Sequence, residues 1–109
     1  MKENKIQAEI YQWFNNNYCL KNNDPQCCIF AVPNGGTRNL KEAMTLKATG
    51  TLSGVSDLIV LLPNKILFIE VKTDIGTQSK EQKNFQERVE KLGFEYHLVR
   101  SLEDFKCVI

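Results

Sequence analysis

The 109-residue sequence is long enough for one folded domain and too short for two of ordinary size. An apolar fraction of 42% and a charged fraction of 25% are typical of a globular domain, which excludes a disordered or fibrous chain. The 14 basic and 13 acidic residues give a net charge of +1, which excludes the overall basic charge of a histone-like binder. No apolar run approaches the roughly 20 residues of a membrane span. The N-terminus also lacks the apolar stretch of a signal peptide, so we expect a cytoplasmic protein.

In the first half of the chain the hydrophobic pattern predicts a helix, a strand and a short helix. Apolar residues at helical spacing predict an amphipathic helix over residues 4–19, which the polar stretch ending at Asp24-Pro25 terminates. The apolar run 27–32 predicts a strand. Asn39 followed three residues later by Glu42 resembles a helix N-cap, and the helix it begins ends near Ala48.

In the second half, two wholly apolar runs, 58–62 and 66–69, predict strands buried on both faces in the middle of a sheet. Ser79 and Gln82 form a capping-box pattern that starts another helix, with Phe85, Val89 and Leu92 on one face. A strand over 94–99 follows, and then a short C-terminal helical turn that Ser101 can cap. The predicted order α-β-α-β-β-α-β-α indicates a single α/β domain over residues 1–109, with a mixed central β-sheet flanked by helices.

Four cysteines bear on redox state and metal binding: Cys19, Cys27, Cys28 and Cys107. No pair has the spacing of a zinc knuckle, and the sequence contains a single histidine, His97, so a structural zinc site is not expected. For an intracellular protein we expect reduced, buried thiols.

The connection between the two apolar runs brings charged residues together. A turn over 62–65, with Pro63 second and Asn64 third, suits a type I turn and pairs Leu61 with Ile66. Asp57 lies four residues before Leu61 and Glu70 four residues after Ile66, so the two carboxylates face each other. Lys72 lies on the same side of its strand as Glu70.

Paired carboxylates repel each other unless a positive charge lies near them, and Mg²⁺ commonly binds one or two carboxylates together with phosphate oxygens. With a lysine, such a site suits phosphodiester hydrolysis, in which most of the catalysis is charge stabilisation and positioning. The Glu-x-Lys spacing alone is uninformative because it occurs three times in this chain. The alternative is a sheet edge carrying an ordinary Asp–Lys salt bridge.

The order of motifs resembles that of a known nuclease family. Gly54-Val55-Ser56-Asp57-Leu58 followed by Glu70-Val71-Lys72 resembles the PD-(D/E)xK signature. More narrowly, it resembles the VRR-NUC family, as found in stand-alone phage proteins. The resemblance extends over most of the chain and includes the segments 33–38 and 43–47, Ser79-x-x-Gln82 and the turn at Gly93. Ser56 replaces the usual proline before the aspartate, a position that shapes backbone rather than binding metal.

The resemblance implies a restriction-endonuclease-like core and a metal-dependent DNA nuclease. It implies that Asp57, Glu70 and the Val71 carbonyl bind Mg²⁺ or Mn²⁺, and that Lys72 orients or activates water. A glutamate on the first helix commonly completes such sites, and Glu9 is taken as the matching position. Glu9 lies about 60° from Ile6 at the edge of the apolar stripe, where a solvated residue is the alternative. Stand-alone members of the family also suggest a homodimer acting on four-way-junction or other branched DNA.

Further candidate residues surround this group. Residues 34–50 carry three basic residues against one acidic residue, the one regional charge excess. The candidates for phosphate contact are Asn34, Gly35, Gly36, Arg38, Lys41, Lys47 and Ser79. Capping explains Ser79 and Gln82, although Gln82 lies on the face of Phe85 and is also a candidate for the catalytic site. The alternatives to a nuclease are a non-catalytic nucleic-acid-binding module on the same fold and a small interaction protein.

Overall fold

The computed structural model describes residues 2–33 and 39–109. These form four helices and four strands in the predicted order. Their bounds are α1 Lys2–Tyr18, β1 Cys28–Ala31, α2 Leu40–Ala48, β2 Leu58–Leu62, β3 Lys65–Val71, α3 Lys80–Lys91, β4 Glu95–Val99 and α4 Leu102–Val108. None of the described helices is long and apolar enough to span a bilayer.

The strands form one mixed sheet in the order β1-β2-β3-β4. The pairs β1–β2 and β2–β3 are antiparallel, whereas β3 and β4 are parallel and are connected through α3. The two apolar runs are thus the central strands, as predicted. Leu61 pairs with Ile66, so the predicted register of the central hairpin is confirmed.

The turn of that hairpin differs from the prediction. Asn64 has a φ of +57°, which the third position of a type II turn requires and a type I turn forbids. Asparagine tolerates this left-handed conformation better than most residues. The register survives because it depends on the number of loop residues, which is the same for both turn types.

The two faces of the sheet are covered unequally. On one face, Ile10 and Phe14 of α1 and Phe105 of α4 are fully buried against the alternate strand residues Leu58, Val60, Leu67, Ile69 and Val71. Burying each such side chain contributes about 1.5–3 kcal/mol to folding. On the other face, Phe85 of α3 packs edge-on against Phe68 and Tyr96, and Phe68 is half-buried. The sequence predicted that the central strands are buried on both faces. Burial is complete on the face covered by α1 and α4 and only partial on the face covered by α3.

The helix ends follow the sequence signals, with one exception. The side chains of Asn39, Ser79 and Ser101 each accept a hydrogen bond from the backbone N–H three residues on, as N-caps do. The sequence pattern puts Leu92 on the buried face of α3, but Leu92 is 73% exposed, because it is the C-cap, where the chain leaves the helix.

The cysteines are free, as expected, but the prediction that they are buried is wrong. Cys28 and Cys107 are exposed, and Cys19 and Cys27 are half-buried, because they lie at the sheet edge and helix ends rather than in the central core. Within residues 2–33 and 39–109, no cluster of three or more cysteine, histidine or acidic side chains is arranged to hold a metal ion by itself.

Gly54 fixes the position of α3 beside the start of β2. Its φ is +83°, and a Cβ built there would lie 2.3 Å from the carbonyl oxygen of Glu81 and 2.8 Å from the amide nitrogen of Gln82. These atoms are helix backbone and cannot rotate away. The close approach therefore places the first turn of α3 directly beside the segment that leads to Asp57.

We expect Gly54→Ala to lower the free energy of unfolding by several kcal/mol, through left-handed strain of about 1–3 kcal/mol plus the steric clash. Gly50→Ala is the matched control, since Gly50 also has a positive φ (+110°) but no described atom lies within 4 Å of the place that an alanine methyl would occupy. Denaturant unfolding of both variants separates the two contributions. Equal losses of stability in both would contradict the role of close packing at Gly54.

Candidate active site

Asp57 and Glu70 lie together where β2 begins and β3 ends. The ladder between these strands pairs Leu58 with Ile69 at this end, so Asp57 and Glu70 occupy the next opposed positions. The Asp57 carboxylate accepts a hydrogen bond of 2.8 Å from the Val71 N–H through its Oδ2. This bond ties the start of β2 to the end of β3 and holds the carboxylate beside Glu70.

Glu70 is the one charged side chain buried in the described part of the chain, with 1% exposure. Burial, then the charge and hydrogen bonding of Asp57, raise its pKa to about 8, and the positive charge of Lys72 opposes this rise. The two carboxylates occupy opposed positions, and ionising both of them is therefore unfavourable. A buried pair of this kind has a strong electrostatic demand for a cation or a proton.

The two carboxylate oxygens of Glu70 have different environments. Oε2 accepts a hydrogen bond of 3.2 Å from Gln82 Nε2 and lies 3.7 Å from Lys72 Nζ. Oε1 is buried and has no hydrogen-bond partner among the described residues. Because an unsatisfied buried oxygen costs about 1–3 kcal/mol, an additional group at Oε1 would stabilise the site.

Lys72 completes the charged group. Its side chain is 11% exposed and lies on the same side of β3 as Glu70. Its backbone N–H donates to the Val99 carbonyl at 3.0 Å, so the residue is anchored to β4 just beyond the parallel pairing. The ammonium group offsets part of the negative charge of the pair but leaves it with one excess negative charge when both carboxylates are ionised.

The side-chain amide of Gln82 makes two contacts, one that caps α3 and one to Glu70. Its side-chain Oε1 accepts from the Ser79 N–H at 2.8 Å, closing a full capping box, while Nε2 donates to Glu70. The amide thus joins the N-terminus of α3 to the buried carboxylate. The Ser79 hydroxyl accepts from the Gln82 N–H at 3.1 Å and serves as the N-cap.

The group fits a divalent cation. Opposed carboxylates, an unpartnered buried oxygen on one of them and the nearby main chain of Val71 form an oxygen-donor set of the type that Mg²⁺ and Mn²⁺ prefer. Two carboxylates fall short of a complete cage. This matches Mg²⁺, which retains waters and uses phosphate oxygens of its substrate as further ligands.

Glu3 and Glu9 lie on different sides of α1. Glu9 is exposed and lies about 100° around the helix from the buried Ile10. Glu3 lies seven residues before Ile10, almost two full turns and so on the buried side, and its charge contributes to the raised pKa of Glu70. The role of Glu9 as a metal ligand stays a prediction, and Glu3 is a second acidic candidate on α1, with two-turn spacing from Ile10.

The candidate DNA-contacting residues divide into two groups. Lys41 and Lys47 are exposed or half-exposed on α2, none of whose residues is buried. Asn34, Gly35, Gly36 and Arg38 lie outside the described residues.

Comparisons with known proteins agree with this architecture. A family model described as the VRR-NUC domain matches residues 1–103. A solved structure titled "VRR_NUC domain protein" superimposes with a TM-score of 0.76 at 21% identity, covering 99% of this chain and 84% of that one. Another, titled "VRR_NUC domain", gives a TM-score of 0.66 at 22% identity, with 99% and 94% coverage. No curated protein matches the chain at a significant level.

Proposed function

Since the chain belongs to the VRR-NUC domain family, a nuclease-type family, we propose that it is a metal-dependent endonuclease that hydrolyses phosphodiester bonds of DNA. The observation that carries the proposal is the buried Glu70 Oε1, which lacks a partner among the described residues while its carboxylate opposes Asp57 and lies beside Lys72. A structural salt bridge between Asp57 and Lys72 would not require a second carboxylate buried opposite the first. A non-catalytic module on this fold would have no need of all three residues.

In this proposal, Asp57, Glu70 and the Val71 carbonyl bind Mg²⁺, for which Mn²⁺ substitutes. The bound ion supplies positive charge to the oxygens of the scissile phosphate. Lys72 donates hydrogen bonds from its ammonium group to the attacking water or the phosphate and so orients them. Gln82 keeps Glu70 in position through its amide, and α1 supplies an acidic residue, for which Glu9 and Glu3 are the candidates.

The segment from Asn34 to Lys47 is proposed to contact the phosphate backbone, with Ser79 at the N-terminus of α3 as a further contact. Lys41 and Lys47 are exposed on α2, a helix in which no side chain is fully buried. Phosphate contact explains a basic, poorly buried helix better than packing does.

Replacing Lys41 and Lys47 together by glutamine is expected to weaken DNA binding. Each lost phosphate contact should reduce the slope of log K against log salt by about 0.9 on duplex DNA. Titrations of fluorescent DNA at several salt concentrations measure this slope. The control pair is Lys65 at the start of β3 and Lys91 at the end of α3, both remote from the candidate active site. Equal effects of the two double substitutions on the salt dependence would contradict the assignment of Lys41 and Lys47.

We propose branched DNA, including the four-way junction, as the substrate, and a homodimer as the active form. Residues 2–33 and 39–109 hold one such site, and symmetric cutting of two strands needs two sites, which a two-fold dimer supplies.

The test is a cleavage panel of duplex, flap and four-way-junction DNA with Mg²⁺, Mn²⁺, Ca²⁺ or EDTA, with light scattering to give the mass in solution. Metal-dependent nicking that prefers junctions, by a protein of dimeric mass, supports the whole proposal. No cleavage of any substrate would contradict the nuclease assignment. A monomer that cuts linear duplex as well as junctions would contradict the substrate and dimer assignments alone.

A further inference from the structure

The chain segment directly after Lys72 forms a tight turn with an apolar tip. The Gly76 N–H donates to the Thr73 carbonyl at 3.2 Å, which closes a four-residue turn with Asp74 and Ile75 at its centre. Ile75 is 87% exposed, more than any other large hydrophobic side chain in the described residues. Single exposed apolar residues are common on protein surfaces, so exposure alone carries no conclusion.

Arg100 holds this turn in a fixed position. Its Nη1 donates to the Thr73 carbonyl at 2.6 Å and to the Gly76 carbonyl at 2.8 Å, so one guanidinium nitrogen binds both residues that flank the tip. The Arg100 backbone N–H in turn donates to Asp104 Oδ2 at 2.9 Å, which anchors it to the first turn of α4. A charge-assisted clamp of this kind indicates that the position of the turn matters, because a free surface loop needs none.

The turn lies beside the side chain of Lys72. A Cβ built at Gly76 would come within 3.5 Å of Lys72 Cδ and 3.2 Å of Thr73 Oγ1, so the lysine stem passes close to the Gly76 backbone. Ile75 is therefore carried by a turn that adjoins the proposed catalytic lysine. Any polymer bound with its phosphate at Lys72 has its neighbouring groups within reach of the turn.

The chemistry of the tip selects which part of a nucleic acid it meets. Asp74, exposed beside Ile75, repels phosphates, so the turn does not suit a contact with the backbone. The apolar Ile75 side chain instead suits the faces of bases. Isoleucine is among the side chains that proteins insert between base steps, where they unstack and kink the helix.

We propose that the Thr73–Gly76 turn is a rigid wedge that places Ile75 against the bases next to the cleaved phosphate. It deepens the proposed nuclease function, on whose DNA binding it rests, by specifying that the substrate is unstacked at the cleavage position. Branched DNA suits this contact, because its bases at the branch point are already partly unstacked and cost less to separate.

The test uses DNA carrying 2-aminopurine, whose fluorescence rises when the base is unstacked, at successive positions around the branch point. The full-length protein is bound in Ca²⁺, which keeps the DNA uncut. We expect wild type to raise the fluorescence at one position and Ile75→Ala to abolish the rise. Arg100→Met, which keeps Ile75 but removes both hydrogen bonds to the turn, should lower it strongly. Leu92→Ala is the matched control, an exposed leucine at the far end of α3.

Cleavage in Mg²⁺ provides a second measurement. We expect the Ile75→Ala variant to cut fully paired DNA about tenfold more slowly than wild type, equivalent to about 1.4 kcal/mol. The same variant should cut DNA with an unpaired base at that position at the wild-type rate. Thermal melting checks that each variant is folded. A fluorescence rise retained by Ile75→Ala or by Arg100→Met would contradict the wedge proposal. An Ile75→Ala variant that differs from wild type only in its mass in solution would also contradict it, because the turn would then be a contact between protein chains.

The two proposals fail separately. If the wild-type protein unstacks DNA bases but does not cut DNA, the nuclease proposal is wrong and the wedge proposal is retained. Cleavage that proceeds equally in wild type and Ile75→Ala on paired DNA contradicts the wedge and leaves the nuclease function standing.

Discussion

Asp57→Asn, Glu70→Gln and Lys72→Ala are each expected to reduce metal-dependent DNA cleavage by at least about 10²-fold, because each removes one charge from a group that acts by electrostatic positioning. Glu70 Oε2 lies 3.7 Å from Lys72 Nζ, and Asp57 accepts a hydrogen bond from the N–H of Val71, the residue between them. We therefore expect the three residues to act as one unit. Their combined effects are expected to be far from additive. Gel assays of nicking under single-turnover conditions measure the loss.

Metal affinity separates the roles within this unit. Titration calorimetry with Mn²⁺ is expected to show weak or absent binding to Asp57→Asn and Glu70→Gln but nearly unchanged binding to Lys72→Ala. Glu95→Gln and Lys65→Ala are matched controls, since these residues form an exposed ion pair of 3.3 Å at the other end of β3. Wild-type cleavage by any of the three site variants would refute the assignment of that residue.

The second large effect concerns stability without metal. Glu70 has a folded pKa of about 8 against an ordinary value of 4.5, so the folded protein keeps a proton that the unfolded chain releases. The resulting stabilisation is fully present below about pH 4.5 and is lost as pH rises to about 8. At about 1.4 kcal/mol per pKa unit, the loss amounts to roughly 2–5 kcal/mol.

Glu70→Gln removes this dependence, because its amide can donate to Asp57 and accept from Gln82 without carrying a charge. We expect the variant to match wild type near pH 4.5 in denaturant unfolding and to exceed it by a few kcal/mol near pH 9. Mg²⁺ should raise the stability of wild type at high pH and leave the variant unchanged. Glu87→Gln, an exposed glutamate on α3, serves as the control. A wild-type protein whose stability is flat between these pH values would contradict the raised pKa of the buried Glu70.

If both predictions hold, Glu70 is a residue at which function costs stability. The same burial and carboxylate opposition that destabilise the metal-free protein create the demand for a cation. Gln82 and Lys72 reduce the cost without removing it, since Oε1 stays unpartnered among the described residues.

The sequence alone was sufficient to predict the element order, the central hairpin and the opposition of Asp57 to Glu70. The opposition depends on a local quantity, the number of residues between Leu61 and Ile66, and it holds even though Asn64 adopts a type II rather than a type I conformation. The caps at Asn39, Ser79 and Ser101 were predictable for the same reason, because each depends on residues three positions apart.

Only the tertiary structure decided which residues from distant segments join that pair. The electrostatic influence of Glu3 on Glu70 depends on the face that α1 turns toward the sheet. The bond from Gln82 to Glu70 depends on the close approach of α3 at Gly54, and the clamp of Arg100 on the 73–76 turn joins residues 24 or more positions apart. Local spacing determines register and caps because short chains have few conformations, whereas contacts between distant segments depend on how whole helices pack onto the sheet.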